Sequence, residues 1–258
     1  MKTTRFIAVV LFVASPFINV VAFAEPFDAC PEYVRYGIPS VKGDLLCRKG
    51  YALAHNPQRK TPDWVAERLT NERANTALPR SDNFRPDPDL EPGQRAELAD
   101  YKGSNFDRGH MAPAADMRWD KDAMSKSFFL SNMVPQVGAS MNRGIWADLE
   151  KKVRAWAIRR GEVYVFTGPI YAEGSINKTI GDNKVAVPVR LYKIVFDPVK
   201  VDAIAFIMPN QPLNTKDLPK YIVNIDEVEA QTGLDFLGAV DETVQKLVES
   251  RKASGLWQ

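Results

Sequence analysis

Two segments, DRGHMAP at residues 107–113 and NRGIWADLEKKVR at residues 142–154, open and close the stretch around which the chain is organised. The first contains His110, one of only two histidines in the 258 residues. The second contains Asn142 and Glu150 and ends in an arginine. The stretch therefore combines a group that titrates near neutral pH with a neutral oxygen ligand, a carboxylate and arginines.

These residue types suit the hydrolysis of a phosphodiester bond. Histidine is the natural base, because its unperturbed pKa of about 6.5 lies near neutral pH. Mg²⁺ usually keeps several waters and takes few protein oxygens, so one asparagine carbonyl and a carboxylate acting through water would suffice to hold it. Arginine presents a planar fork to phosphate oxygens. The stretch is thus a candidate catalytic site.

Each of these residues also has a structural interpretation. A histidine between glycine and methionine is more often structural than catalytic, and Asn142 could be only a helix N-cap. The clearest helical pattern in the chain runs from Asn142 to Arg160, where these apolar residues recur on one stripe: Ile145, Trp146, Leu149, Val153, Trp156 and Ala157. Glu150 and Arg154 lie at the border of that stripe. They either line a cleft or form a surface pair worth ~0.2–0.5 kcal/mol.

The rest of the chain alternates strand and helix patterns. Strands are predicted at residues 51–55, 64–69, 163–166, 185–196 and 203–207, and helices at 120–130, near 226–231 and at 241–251, with Asp120 as an N-cap. Strands in hairpin-like order, with helices between and after them, indicate an α+β fold with a central, largely antiparallel sheet flanked by helices. His55, beside the turn after the first strand, is interpreted as structural.

Residues 79–93 are rich in proline, aspartate and arginine, which predicts a loop. The arginines of such a loop, Arg80 among them, contribute to a site only if the fold returns them to it.

The N-terminus has the pattern of an export signal. Two cationic residues precede an apolar run over residues 6–14, and Ala22-Phe23-Ala24 offers a small-x-small cleavage site. We expect residues 1–24 to be removed, which leaves a single domain over residues 25–258 in the periplasm or outside the cell. The alternative is an uncleaved membrane anchor. No later segment is apolar enough to span a bilayer.

Cys30 and Cys47 are the only cysteines, and in an exported chain they most simply form one disulfide bond. In the chain-entropy model such a bond would contribute roughly 3 kcal/mol. Two cysteines and two histidines without paired spacing are a poor match to a structural zinc site.

Charge is distributed unevenly along the chain. Removal of residues 1–24 would leave 32 basic and 32 acidic residues, so net charge gives no argument for a polyanionic partner. Residues 142–160, however, carry six basic and two acidic side chains, whereas residues 213–250 carry three basic and eight acidic ones. This asymmetry suits either one basic, phosphate-binding face or simply solvated helices.

The segment DRGHMAP resembles the DRGH signature of the sugar-nonspecific DNA/RNA endonucleases, the ββα-metal nucleases that include the Serratia and Anabaena secreted nucleases and endonuclease G. The likeness extends through FLSNMVPQ at 129–136 and NRGIW at 142–146, and includes DNFRPD at 82–87 and TGP at 167–169. It covers most of residues 48–250. Several motifs in the right order are far more specific than one four-letter match.

The resemblance implies a role for each matched residue. It implies that His110 is the base, that Asn142 binds the metal and that Glu150 orients metal-bound water. It implies that Arg154 contacts phosphate and that Arg80 neutralises charge in the transition state. It also implies supporting roles for Asn132 and for the first two signature residues, Asp107 and Arg108.

One position needs a chemical argument. The spacing between Gln136 and Asn142 differs by about a residue from some relatives. We prefer Asn142 to Met141 as the ligand, because a thioether is a poor ligand for Mg²⁺.

The resemblance therefore implies an exported endonuclease that depends on Mg²⁺, with Mn²⁺ as a substitute, and that cuts DNA and RNA to leave 5′-phosphate ends. Contacts to the nucleic-acid backbone would explain weak sequence preference. Two alternatives are a catalytically silent nucleic-acid-binding module of the same fold and an antibacterial effector nuclease. We expect no stable membrane association after signal cleavage, and the sequence leaves monomer and homodimer both open.

Overall fold

A computed structural model describes residues 27–172 and 178–258 of the protein. The predicted export signal lies outside these residues. Eleven strands occur in the described part of the chain: β1 (Asp44–Arg48), β2 (Tyr51–Asn56), β3 (Thr61–Thr70), β4 (Phe106–His110), β5 (Met133–Val137), β6 (Glu162–Ile170), β7 (Thr179–Ile180), β8 (Val185–Ala186), β9 (Arg190–Asp197), β10 (Asp202–Pro209) and β11 (Ile222–Val223). Seven of them form an antiparallel sheet in the order β1-β2-β3-β6-β9-β10-β11.

Both faces of this sheet are covered, because successive side chains of a strand point to opposite faces. In β9, Leu191 and Val195 belong to one hydrophobic core, and Tyr192 and Ile194 belong to the other. Lys193 is therefore directed to the first face, although it lies in the middle of an apolar strand. The predicted α+β class with a central antiparallel sheet is confirmed.

Six α-helices accompany the strands in the described residues: α1 (Asn71–Asn75), α2 (Leu98–Tyr101), α3 (Lys121–Lys126), α4 (Ala147–Arg160), α5 (Ile225–Thr232) and α6 (Glu242–Ser250). Helix α4 packs on the first face through Leu149, Val153, Trp156 and Ala157. Helices α5 and α6 lie on the opposite face, against β10.

The strands β4 and β5 form a separate two-stranded sheet, in which His110 pairs with Met133. A π-helix, Gly138–Trp146, follows β5 and runs directly into α4. A two-stranded unit followed by a helix is thus built from one continuous stretch of chain. Where one helix was predicted from Asn142, the structure has two helical segments joined at Gly144, whose backbone is not helical (φ −116°, ψ −110°). The first segment begins at Gly138 and has the wider π-helical turn.

Two other element predictions are corrected. The strand expected over residues 185–196 is two strands, β8 and β9, separated at Pro188, which has no N–H to donate to a sheet. The helix expected over 120–130 ends at Lys126, although Asp120 is its N-cap as predicted and accepts hydrogen bonds from the N–H groups of residues 122 and 123.

The predicted disulfide bond is confirmed. Cys30 and Cys47 form a disulfide bond. His55 is fully buried and its Nε2 lies 2.9 Å from the carbonyl oxygen of Gln94. Among the described residues, no helix is both long enough and apolar enough to cross a membrane.

Candidate active site

A pocket of about 530 Å³ opens over the β4, β5 and α4 unit. Its walls come from five places in the chain: the loop between α1 and α2, the end of α2, strand β4, the turn after β4, and the junction of the π-helix with α4. The charged and polar residues that line it are Arg80, Asp107, Arg108, His110, Asn142, Arg143 and Glu150. Six of these seven belong to the set predicted from the sequence, and they meet although Arg80 and Glu150 are 70 positions apart.

His110 lies at the end of β4, with its ring between two phenylalanines. Its centroid is 5.1 Å from that of Phe128 and 5.5 Å from that of Phe84. Its Nε2 is buried and has no hydrogen-bond partner among the described residues. Burial, together with the positive charges of Arg80 and Arg108, lowers the pKa of His110 to about 3. The imidazole is therefore neutral near pH 7, which is the form that can accept a proton.

Asn142 is held by Asp107. The amide Nδ2 of Asn142 donates a hydrogen bond of 2.9 Å to Asp107 Oδ2. This bond occupies the amide nitrogen and leaves the amide oxygen as the atom that can bind a cation in the pocket. Met141, the alternative ligand from sequence spacing, is fully buried in the first core and does not line the pocket. The wide π-helical turn contains more residues than an α-helical turn, which fits the extra spacing before Asn142.

Glu150 lies on the first turn of α4 and lines the same pocket as Asn142. No described residue forms a hydrogen bond with its carboxylate. Burial raises the pKa of Glu150 to about 7, opposed most strongly by the positive charge of Lys193 and reinforced by the negative charge of Asp116. A cation bound beside Glu150 would lower this pKa and so restore the ionised carboxylate.

Two predicted arginines line the pocket, but they are held differently. Arg80 is half exposed and pairs with Asp82 at 2.7 Å, and its guanidinium lies 4.8 Å from the ring centre of Phe128. Arg108 lies 4.1 Å from the ring centre of Phe84, and its buried Nε has no partner among the described residues. Both cations are therefore available to a phosphate, Arg108 more fully because no carboxylate of the described residues pairs with it.

The two other predicted residues do not line the pocket. The side chain of Arg154 is 18% exposed, and its Nη1 lies 2.6 Å from Oδ1 of the buried Asp116. Asn132 is completely buried and is bonded on both sides to the backbone of Ala112, with a third bond to the carbonyl of Ser127. Asn132 thus fixes the chain just after His110, a supporting position. Arg154 ties α4 to the turn that follows β4.

Sequence reasoning missed a buried polar layer beneath the pocket. Glu67 of β3, Thr167 of β6 and Lys193 of β9 are at most 2% exposed. Lys193 Nζ donates a hydrogen bond of 2.6 Å to Thr167 Oγ1, its direct cross-strand neighbour. Burial lowers the pKa of Lys193 and raises that of Glu67. The signal in the sequence was a lysine at an inward position of the apolar strand LYKIVF.

The donor set of the pocket fits a hard divalent cation. The amide oxygen of Asn142 and the carboxylate of Glu150 face one space, and both are oxygen ligands of the kind that Mg²⁺ takes alongside its waters. The Asp107 carboxylate already contacts Asn142 and Arg143, so it would orient the metal ligands and would not bind the metal itself.

Residues 31–243 match the sequence model of a family described as DNA/RNA non-specific endonuclease. The chain belongs to this family. Among its relatives, Nuclease C1 of Cunninghamella echinulata var. echinulata is 39% identical over 222 residues, which cover 81% of this chain and 88% of the relative. Human mitochondrial endonuclease G is 36% identical over 219 residues, which cover 80% of this chain and 73% of the relative.

A solved structure of this endonuclease family has the same fold. The crystal structure of the EndoG/EndoGI complex contains a chain that superposes on this protein with a TM-score of 0.76 and 30% sequence identity. The match covers 82% of this chain and 92% of the matched chain. The ββα-metal nuclease fold is therefore confirmed, and the protein is a metal-dependent endonuclease.

Proposed function

We propose that this endonuclease uses Mg²⁺ to hydrolyse phosphodiester bonds in both DNA and RNA, with His110 as the general base and with 5′-phosphate ends on the products. The observation that supports this most directly is the meeting of His110, Asn142 and Glu150 in one pocket with two arginines. General base catalysis typically contributes ~10²–10⁴-fold to the rate.

The proton transfer follows from the state of His110. Because the imidazole is neutral and its Nε2 has no protein partner among the described residues, Nε2 can take a proton from a water that attacks phosphorus. The two phenylalanines beside the ring limit its rotation. His110 would then hold that proton while the P–O bond to the leaving 3′-oxygen breaks, and the departing 3′-oxygen would take a proton from solvent to become a hydroxyl.

The other pocket residues bind and orient the phosphate. Asn142, directly, and Glu150, through water, would hold Mg²⁺, which supplies a Lewis acid for the phosphate and the leaving oxygen when bound. Arg108 and Arg80 would bind non-bridging phosphate oxygens through their planar guanidinium groups. None of these contacts needs a base edge or a sugar hydroxyl, which supports action on both nucleic acids with weak sequence preference.

We also propose that the protein is exported, on the strength of the charged, apolar and small-x-small pattern in residues 1–24. Mass spectrometry of the protein from periplasmic and medium fractions tests this. A mature N-terminus at Glu25 is expected, and a full-length protein retained in the membrane fraction would contradict cleavage after Ala24 and support the uncleaved anchor.

The enzymatic proposal is tested with purified protein, a plasmid and a single-stranded RNA, each with Mg²⁺ and with EDTA, followed by mapping of the product ends. Metal-dependent cutting of both substrates with 5′-phosphate ends is expected. Cutting of DNA alone would remove the RNA part of the proposal. Binding without cutting in Mg²⁺ or Mn²⁺ would contradict it and support a silent binding module.

A further inference from the structure

Arg143 is the one charged residue of the pocket wall to which the sequence assigned no role. It follows Asn142 directly in the π-helix, and its side chain is 67% exposed. The residues that would act on the scissile phosphate, such as His110 and Glu150, are less exposed than Arg143. Arg143 therefore lies at the rim of the pocket, where a nucleic-acid strand would leave it.

The guanidinium of Arg143 is oriented but not fully used. Its Nε lies 3.0 Å from Asp107 Oδ2, the same oxygen that accepts the amide of Asn142. The guanidinium also packs closely against the backbone of Gly138, where an added Cβ would lie only 2.7 Å from Arg143 Nη2. The terminal nitrogens make no other hydrogen bond or ion pair among the described residues. A half-exposed pair of this kind contributes little energy, so the terminal nitrogens can bind a further anion.

Charge in the pocket favours such an anion. Three arginines, Arg80, Arg108 and Arg143, face Asp107 and Glu150, and Arg80 also pairs with Asp82. A bound divalent cation would add two further positive charges. The scissile phosphate supplies one negative charge, so the rim retains a positive potential that a second phosphate of the same strand would satisfy.

We propose that Arg143 binds the backbone phosphate next to the scissile one and thereby holds the strand across the pocket mouth. This inference rests on the proposed function, since it concerns the same nucleic-acid substrate. Asp107 then has two neighbours with different tasks: it orients Asn142 for the metal and Arg143 for the strand. Arg143 contacts substrate but takes no part in proton transfer.

The test measures binding without catalysis. The protein and Arg143→Gln are titrated into a fluorescein-labelled DNA duplex in EDTA, and fluorescence anisotropy is recorded over a range of NaCl concentrations. Loss of one phosphate contact predicts about tenfold weaker binding, and a plot of log K against log salt that is less steep by about 0.9. Arg143→Lys should retain most of the slope, because the charge remains.

Arg159→Gln is the matched control. Arg159 is also an exposed arginine, but it lies nine residues beyond Glu150 on α4, or about 13 Å along the helix axis. Its replacement should leave affinity and slope unchanged. Equal losses in the two variants would show only a general charge effect and would overturn the proposal.

A second measurement separates substrate binding from support of the metal site. Isothermal titration with Mg²⁺ alone should give the same affinity for Arg143→Gln and the unaltered protein, because the bond between Asp107 and Asn142 remains. A variant that loses Mg²⁺ affinity but keeps DNA affinity and slope would show that Arg143 only supports Asp107, and would overturn the proposal. Binding in EDTA is measurable even if the protein cuts nothing, so failure here differs from failure of the nuclease proposal.

Discussion

At the scale of single residues, Asp107 determines which atom of Asn142 is free. Its Oδ2 accepts the amide hydrogen of Asn142, so the amide oxygen is the atom left for a cation. An unrestrained asparagine side chain could rotate its amide by 180° and present the NH₂ group to the pocket instead. Asp107 would therefore act by orienting Asn142 and does not itself need to touch substrate.

Replacement of Asp107 by alanine should weaken Mg²⁺ binding by about 10–100-fold, the usual effect of losing a group that orients a metal ligand. Isothermal titration with Mg²⁺ measures this. Asp82→Ala is the matched control, because it removes an exposed carboxylate beside the pocket without touching Asn142. An exposed charge is screened, so the control should change affinity by at most about twofold. Equal effects would contradict the orienting role.

The raised pKa of Glu150 predicts a pH dependence of metal binding. Without metal, Glu150 holds its proton up to about pH 7, because burial disfavours the charged carboxylate. Mg²⁺ must displace that proton, so its affinity should rise as pH increases through 7 and then level off. His110 does not titrate in this window, since its pKa lies near 3.

Mg²⁺ titrations between pH 5.5 and 8.5 measure this dependence. In Glu150→Gln the affinity should be lower and nearly independent of pH, because the titrating group is gone. A pH dependence that persists unchanged in Glu150→Gln would assign the effect to another group.

At the scale of elements, the π-helix Gly138–Trp146 sets the distance between Asn142 and the strand before it. The wide π-helical turn accommodates one residue more than an α-helix would. Met141 consequently points into the core while Asn142 faces the pocket.

Deletion of Ser140, which lies before Asn142 in the π-helix, should convert the wide turn to an α-helical one and retain most of the activity. Deletion of Gly144 shortens the spacing between Asn142 and Glu150 and should lower the rate by about 100-fold or more, because the ligands leave a common face. Cleavage rates and circular dichroism of both variants test this. Equal loss of activity in two folded variants would show that the π-helix has no such role.

Many of the elements could be predicted from the sequence. Period-two and helical patterns located β2, β3, β6, β10 and α4, because such patterns arise from residues that are close in sequence. The π-helix was missed because its apolar spacing resembles that of an α-helix at this length. The path of the loop that returns Arg80 to the pocket depends on long-range packing, and only the resemblance to a family indicated it.

The role of Arg154 at phosphate stays a prediction. In the structure Arg154 pairs with the buried Asp116 and does not line the pocket. Lys193 was not anticipated, because the strand LYKIVF shows a lysine among apolar residues but not which buried groups it faces. Both belong to a buried layer of charges, whose arrangement follows from how the sheet and α4 pack together.

At the scale of the whole molecule, the disulfide bond and the candidate active site lie on different faces of the sheet. Cys30 belongs to the core on the face that carries α5 and α6, whereas His110, Asn142 and Glu150 line a pocket over the β4, β5 and α4 unit, on the side of the other core. The disulfide bond therefore stabilises the fold without contributing to the pocket.

Replacement of both cysteines by serine should lower the free energy of unfolding by about 3 kcal/mol, because the unfolded chain gains the entropy of the opened loop. Urea unfolding measures this change. Cleavage rates measured without urea should change little. A large loss of activity in a folded double variant would contradict the separation of the two faces.

We propose that His110 supplies the general base in a pocket where Asn142 holds the metal. The most direct test compares single-turnover cleavage and Mg²⁺ binding in His110→Ala and Asn142→Ala. His110→Ala should cleave ~10²-fold or more slowly with unchanged Mg²⁺ affinity, whereas Asn142→Ala should lose Mg²⁺ affinity as well as rate. A His110→Ala variant that folds and cleaves at close to the original rate would contradict the account.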